Sequence, residues 1–292
     1  MSPPVSSLNN GHLHENPLPS AEYNKLPNID KMADAAANNA KAHAILLGVI
    51  AAHGLADKFS VHLTHKHFDL PEGRVMVYEM VKGKSHEDFI LCSPRIPQKT
   101  PNMRGLYFKA ALDGNMIAYE FTTNPGMDLS DHKDFVAKFA TAVLELGVQD
   151  VFALTALSIC PKEKVFTEFE LGQVLSTVLV ANSSWLPAQD VAGTTNTDWL
   201  ATADYAQYAD GLVPGIIQLK CTDTRPKPTQ SRKHFNFTCS TTRTGKHLGH
   251  APASFVGQPP QDNVLRINGE VLPEGTEGHA IVSRALQMID VA

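Results

Sequence analysis

Three histidines fall within six residues in the run His62-Leu63-Thr64-His65-Lys66-His67. A neutral imidazole is a ligand for divalent metals, and its proton exchanges near neutral pH, so the run is a candidate for metal or proton chemistry. If it lies on a strand, alternate residues share a face. Val61, Leu63, His65 and His67 then point one way, and His62, Thr64 and Lys66 the other. Two imidazoles two residues apart on one face suit a single metal ion. The segment Leu70-Pro71-Glu72-Gly73 reads as a turn joining this strand to a second over Arg74 to Val81. A bulge at Gly73 pairs His65 with Glu79 and His67 with Val77. Without the bulge, His65 faces Tyr78 and Glu79 moves to the opposite face. In the bulged register Glu79 is a carboxylate among Val75, Val77 and Val81, where it is costly unless paired or ligated. His65, His67 and Glu79 are thus the expected catalytic and metal-ligating set, with Glu72 the alternative carboxylate. Two histidines and a carboxylate are the ligand set of catalytic zinc and of non-haem iron.

A second region carries charge. Lys220 to His250 holds seven Lys and Arg residues against one acid, Asp223. Its glycine-punctuated end, Thr244 to His250, is expected to close over the sheet and bring His247 or His250 to the site, with His250 as a further metal ligand. Arg243 and Lys246, together with Lys109, are expected to hold an anionic substrate. Cys239 alternates with Phe235 and Phe237 and reads as a buried, inert thiol. There is no Gly-x-Ser-x-Gly elbow, phosphate loop or dinucleotide fingerprint, which disfavours serine hydrolase, NTPase and nucleotide-cofactor readings. The expectation is a small-molecule enzyme of the lyase, hydrolase or oxygenase class, working with one zinc or iron ion or, without metal, by general acid–base catalysis with Glu79 orienting a histidine ring. Two rivals remain: a non-catalytic module whose histidines line a ligand-binding sheet face, and a protein whose histidines are structural.

The elements that would carry these residues follow from pattern. Residues 1–27, rich in Ser, Pro and Asn, read as a disordered tail that includes His12 and His14. Residues 28–292 read as a single domain. Apolar positions at spacings of three and four predict one helix from Asn28 to Gly54, with His43 on its buried stripe as a core histidine. Strands are expected at Phe59 to Leu70, Arg74 to Val81 and Glu87 to Ser93. Asp113-Gly114 predicts a two-residue hairpin loop between Arg104 to Ala111 and Asn115 to Thr123. Pairing Leu112 with Asn115 puts Leu106, Phe108, Ala110, Ile117, Tyr119 and Phe121 on one face, and Lys109 and Glu120 on the other. A helix is predicted from Ser130 to Leu146, ending at Gly147. Short strands should follow at Val151 to Ile159, Val165 to Leu171 and Val174 to Val180. Asn182 to Gly211 reads as loop with a helical piece near Asp204. Strands resume at Gly215 to Cys221 and His234 to Ser240, and a last helix spans Gly278 to Ile289. Hairpins outnumber strand–helix alternations, so the fold class is α+β, a mostly antiparallel sheet packed against a few helices.

Bulk composition agrees with a soluble globular chain: 43% hydrophobic and 19% charged residues, with a net charge of -5. That charge offers no attraction to nucleic acid or an anionic membrane. No apolar run approaches the roughly 20 residues of a membrane span, and the start of the chain does not read as a secretory signal. Cys92, Cys160, Cys221 and Cys239 are scattered, as expected of reduced thiols in the cytoplasm. Oligomeric state has no signature in the sequence.

Overall fold

The computed structural model describes residues 13–83, 87–126, 130–157, 166–171, 174–181, 191–209, 237–242, 265–267 and 270–290. Fourteen strands occur among them. They are β1 (Leu13–His14), β2 (Phe59–Leu63), β3 (Val75–Val81), β4 (Phe89–Arg95), β5 (Arg104–Ala110), β6 (Met116–Thr122), β7 (Phe152–Ala156), β8 (Phe166–Leu171), β9 (Ser176–Val180), β10 (Val191–Asn196), β11 (Asp198–Leu200), β12 (Phe237–Thr242), β13 (Leu265–Ile267) and β14 (Glu270–Leu272). The helices are α1 (Ser20–Tyr23), α2 (Ala35–Asn38), α3 (Ala40–Ala52), α4 (Lys133–Glu145) and α5 (Glu277–Asp290). The class is α+β, as expected. No helix of the described residues is long and apolar enough to cross a membrane.

Twelve strands form one mixed, mostly antiparallel sheet in the order β10-β12-β8-β9-β4-β3-β6-β5-β7-β2-β11, with β1 added beside β6. The strands at its two ends, β10 and β11, are consecutive in the chain and separated only by Thr197. The Thr197 carbonyl accepts a hydrogen bond from the Leu63 amide at 2.7 Å. One run of chain, 191–200, therefore serves as both edges and closes the sheet on itself. The sequence reading placed this run in a loop. Threonines, Asn196 and Asp198 dilute its apolar alternation, and the strand is recognisable only by what it joins.

Closure divides the side chains into an outside and an inside. Outward residues of β2, β3, β5, β6 and β7, among them Val61, Val77, Phe108, Phe121 and Leu154, form a core with α3 and α4. Val81, Leu91, Val178 and Val180 form another beneath α5. The inward residues of successive strands lie opposite one another in register: Asp198 with His62, Ser60 with Thr155, Tyr107 with Glu120, Tyr78 with Cys92 and Glu170 with Thr177. The interior thus mixes these polar groups with a second apolar cluster that includes Met76, Ile90, Phe166 and Leu179, while the other apolar clusters lie beneath the helices.

Several expected elements hold with adjusted boundaries. The 28–54 helix is broken into a short 3-10 turn at Ile29–Lys31, then α2 and α3. Asn39, between α2 and α3, has φ -116° and ψ 30°, outside helical geometry. His43 is buried on α3 as expected, stacked on Phe152 and edge-on to Trp199. Its Nε2 has no hydrogen-bond partner, so it is a core histidine but not a satisfied one. The β5–β6 hairpin forms around Asp113-Gly114, but Ala110 pairs with Met116 and the Ala111 amide bonds the Asn115 carbonyl at 2.8 Å. The loop is one residue longer than a two-residue turn. Bulges at Leu106 and Tyr119 then turn Tyr107, Tyr119 and Glu120 inward. From residue 13 onward, the segment read as a tail packs against the barrel. β1 pairs with β6, and Tyr23 is buried with Tyr78 and Tyr119.

Candidate metal centre

The strand that carries the histidine run stops at Leu63. Beyond it, Thr64 bonds the Val151 carbonyl, and Lys66 exchanges backbone hydrogen bonds with the N-terminal arm: Lys66 N–H to Pro27 O at 2.9 Å, and Ile29 N–H to Lys66 O at 3.2 Å. The Lys66 ammonium also reaches the arm, donating to the Asn24 carbonyl and to Asp69. Residues 64–67 therefore cross the end of the barrel rather than continue its wall. With Lys66 tied to the arm, His65 and His67 drop into the interior.

There they meet Glu168 of β8, and one ligand atom from each of the three lies within 4.8 Å of the other two. His65 Nε2 and His67 Nε2 are 3.3 Å apart, and His67 Nε2 is 3.3 Å from Glu168 Oε2. Each group is fixed from behind. His65 Nδ1–H donates to the Leu63 carbonyl at 2.7 Å, His67 Nδ1–H to Glu170 at 2.9 Å, and the Thr177 hydroxyl to Glu168 Oε1 at 2.6 Å. Burial, followed by the neighbouring His67 and His62, pushes the His65 ring well below the ordinary histidine range, so it is neutral and its lone pair is available. Burial acts to raise the Glu168 carboxyl, but His67, His65 and the Thr177 hydroxyl outweigh it and hold the group well below the usual carboxylate range.

His62, expected to point away from the site, faces the same interior. Its Nδ1 bonds Asp198 at 2.8 Å, and its ring stacks on Tyr107 with centroids 3.8 Å apart and lies 5.3 Å from His65. Asp198 is held in turn by the Ser60 and Thr155 hydroxyls at 2.9 and 2.6 Å. Farther along the interior, Glu120 accepts from the Tyr23 and Tyr78 hydroxyls at 2.8 and 2.9 Å, and burial pushes its carboxyl up to about 7.

Besides His62, two expectations about the site require correction. Glu79 is not part of it. β2 pairs with β7 and β11, while β3 pairs with β4 and β6, so the hairpin that would have set Glu79 opposite His65 does not form. The turn itself exists, with Gly73 at φ 72°, but it joins the crossing segment to β3 rather than two paired strands. Glu79 does alternate with Val75, Val77 and Val81; that face is the outer one, where it lies 3.8 Å from Arg95. Lys109 also faces outward, 2.6 Å from Asp150, away from the histidines. Glu72 is exposed beside the turn. Arg243, Lys246, His247 and His250 lie outside the described residues, as does His234.

Glu168, Glu170 and Asp198 were not anticipated. The pattern Phe166-Thr167-Glu168-Phe169-Glu170-Leu171 carried a signal for two of them. Two carboxylates alternate along a short strand, the acidic counterpart of His65-Lys66-His67. No known protein family, curated protein or solved structure matches this chain.

Proposed function

We propose that His65, His67 and Glu168 bind one divalent metal ion, and that the protein is a metal-dependent enzyme acting on a small molecule admitted to the barrel interior. The carrying observation is convergence with backing. Two imidazole Nε2 atoms and a carboxylate oxygen face one point, while a carbonyl, a second carboxylate and a hydroxyl hold the far side of each group. Such outer partners fix the tautomer and orientation of metal ligands. The charge balance favours the same reading. Among the described residues the interior holds the carboxylates Glu168, Glu170 and Asp198, besides Glu120, whose carboxyl burial raises to about 7. With His65 neutral they face only His62 and His67, and buried carboxylates require compensating positive charge.

The donor set of two imidazoles and a carboxylate suits zinc or iron. Two of its spacings, His65–His67 and His67–Glu168, are 3.3 Å, and all three ligand atoms lie within 4.8 Å of one another. Zinc, which is bound without any redox requirement, is the ion proposed. Three protein ligands leave a fourth position for water or substrate, the arrangement of hydrolytic and lyase zinc. When bound, the metal would polarise a carbonyl or lower the pKa of water. His62, oriented by Asp198, and the hydroxyls of Tyr107 and Tyr119 line the same interior and would position a polar substrate.

The test is elemental analysis of protein purified without an affinity tag, joined to thermal unfolding. About one equivalent of zinc is expected, lost in His65→Ala, His67→Ala and Glu168→Ala. At free zinc about 1,000-fold above Kd the ion adds about 4 kcal/mol of stability. That corresponds to a Tm about 8 °C above that of chelated protein. A chelator that leaves Tm unchanged, or a wild-type protein that takes up no zinc, overturns the proposal.

A further inference from the structure

A second cavity opens on the outside of the barrel, between the N-terminal arm and the end of the β5–β6 hairpin. Its volume is about 750 Å³, within the range of sites for small organic ligands. The floor is apolar, built from Leu26 and Met32 of the arm, Ile117 of β6 and Val151 before β7. Four ammonium groups, Lys25, Lys31, Lys66 and Lys109, line it against two carboxylates, Glu22 and Asp150. The lysines are not all committed. Lys31 has no carboxylate partner among the described residues. The Lys25–Glu22 and Lys109–Asp150 pairs engage acids whose side chains are 50% and 70% exposed, and exposed pairs of this kind are weak and readily exchanged. Lys66 is buried at the base of the cavity, held by Asn24 and Asp69.

We infer that this cavity binds an amphipathic organic anion, its apolar body on the Leu26–Met32–Ile117–Val151 floor and its anionic group among Lys25, Lys31 and Lys109. The site is separate from the metal centre. Lys66 lies between His65 and His67 in sequence, yet its side chain leaves toward the arm while theirs enter the barrel, so the crossing segment lies between the two sites. The inference stands whether or not the interior binds metal. Lys109, expected from sequence to hold an anionic substrate beside the histidines, lines this outer cavity instead.

The probe is anilinonaphthalene sulfonate, whose fluorescence rises on an apolar surface, compared with the neutral phenylnaphthylamine that lacks its sulfonate. The full-length wild-type protein should bind the sulfonate at one saturable site and bind the neutral analogue more weakly. Lys31→Glu combined with Lys109→Glu should weaken sulfonate binding about tenfold or more, because two nearby attractions become repulsions. The neutral probe should be unaffected. About 1 M NaCl, where the Debye length is about 3 Å, should reproduce the loss in wild-type protein. Both lysines are outside the cores, so the variants should keep the wild-type circular dichroism, and Lys31→Glu alone gives the same direction where the pair is disturbed. Sulfonate binding that ignores both substitutions and salt, or the absence of any saturable site, overturns the inference.

Discussion

His43 offers a test of how the interior of the helical layer treats charge. It sits on α3, buried between Phe152 and Trp199, with ring centroids 5.3 and 4.6 Å away. Its Nε2 meets no acceptor or donor. Burial alone pushes its pKa down from 6.5 to about 4. The unfolded chain binds a proton that the folded chain refuses. The resulting stability is fully present above the unfolded pKa and is lost as pH falls from about 6.5 toward 4. Two and a half units at about 1.4 kcal/mol each set the whole loss at about 3 kcal/mol, of which about 2 kcal/mol is gone by pH ~5. His43→Phe removes the titration and retains an aromatic ring of similar size. At pH ~8 the variant should match the wild type to about 1 kcal/mol, since loss of an unpaired buried nitrogen offsets imperfect fit. At pH ~5 it should exceed the wild type by about 2 kcal/mol more than it does at pH ~8. Urea unfolding at both pH values gives the two differences. Other acid-sensitive groups, such as Glu168 and His65, are common to both proteins and cancel. An identical difference at the two pH values would refute a buried, neutral His43.

Glu120 tests the opposite sign. Burial raises its carboxyl from 4.5 to about 7, so its contribution is complete below pH ~4.5 and is lost as pH rises toward 7, about 3 kcal/mol in all. Glu120→Gln should therefore gain on the wild type by that amount between pH ~4.5 and ~8, read from urea midpoints; a pH-independent difference contradicts the assignment. Gly48 tests close packing of α3 against the 203–208 turn. A Cβ there would lie 2.8 Å from both the Ala209 nitrogen and the Tyr205 oxygen. Gly48→Ala, which gains roughly 1 kcal/mol in an open helix, should instead cost about 2 kcal/mol here, because backbone must move; a stabilised variant would show that the turn does not press on the helix.

What the sequence made legible were features that declare themselves locally. α4 and α5 carry a helical stripe, Asp113-Gly114 marks a hairpin, and the balance of hairpins over crossovers sets the α+β class. His65 and His67 were legible because paired imidazoles are conspicuous whatever their backbone does. Partners chosen by long-range pairing were not legible. The register that promised Glu79 assumed that neighbouring strands in sequence are neighbours in the sheet, but the partners of β2 are β7 and β11, the latter 136 residues on at the His62–Asp198 contact. Glu168 arrives from β8 by the same route. A two-residue periodicity reports which residues share a face, without saying whether that face looks in or out. For β3 it looks out, which is why the reading of Glu79 as a carboxylate among valines was right and its assignment to the site was wrong.

The deeper reason lies in the end of β2. On a regular strand, residues two apart rise about 6.6 Å and hold their side chains nearly parallel. Ring nitrogens so placed share one small ion only when both rings turn toward each other. His65 and His67 instead have ring centroids 5.0 Å apart, planes at 77° and Nε2 atoms separated by 3.3 Å. Here that convergence accompanies the departure of the chain from the sheet at Thr64, and leaving the sheet requires other partners for the backbone. The N-terminal arm supplies them at Lys66, through Pro27 and Ile29. The irregular crossing thus carries the two histidines together, and the arm that braces it also walls the lysine-lined cavity outside. Alternation drew attention to the pair, but it is the break in alternation, fixed from outside by Lys66, that aims both rings at Glu168.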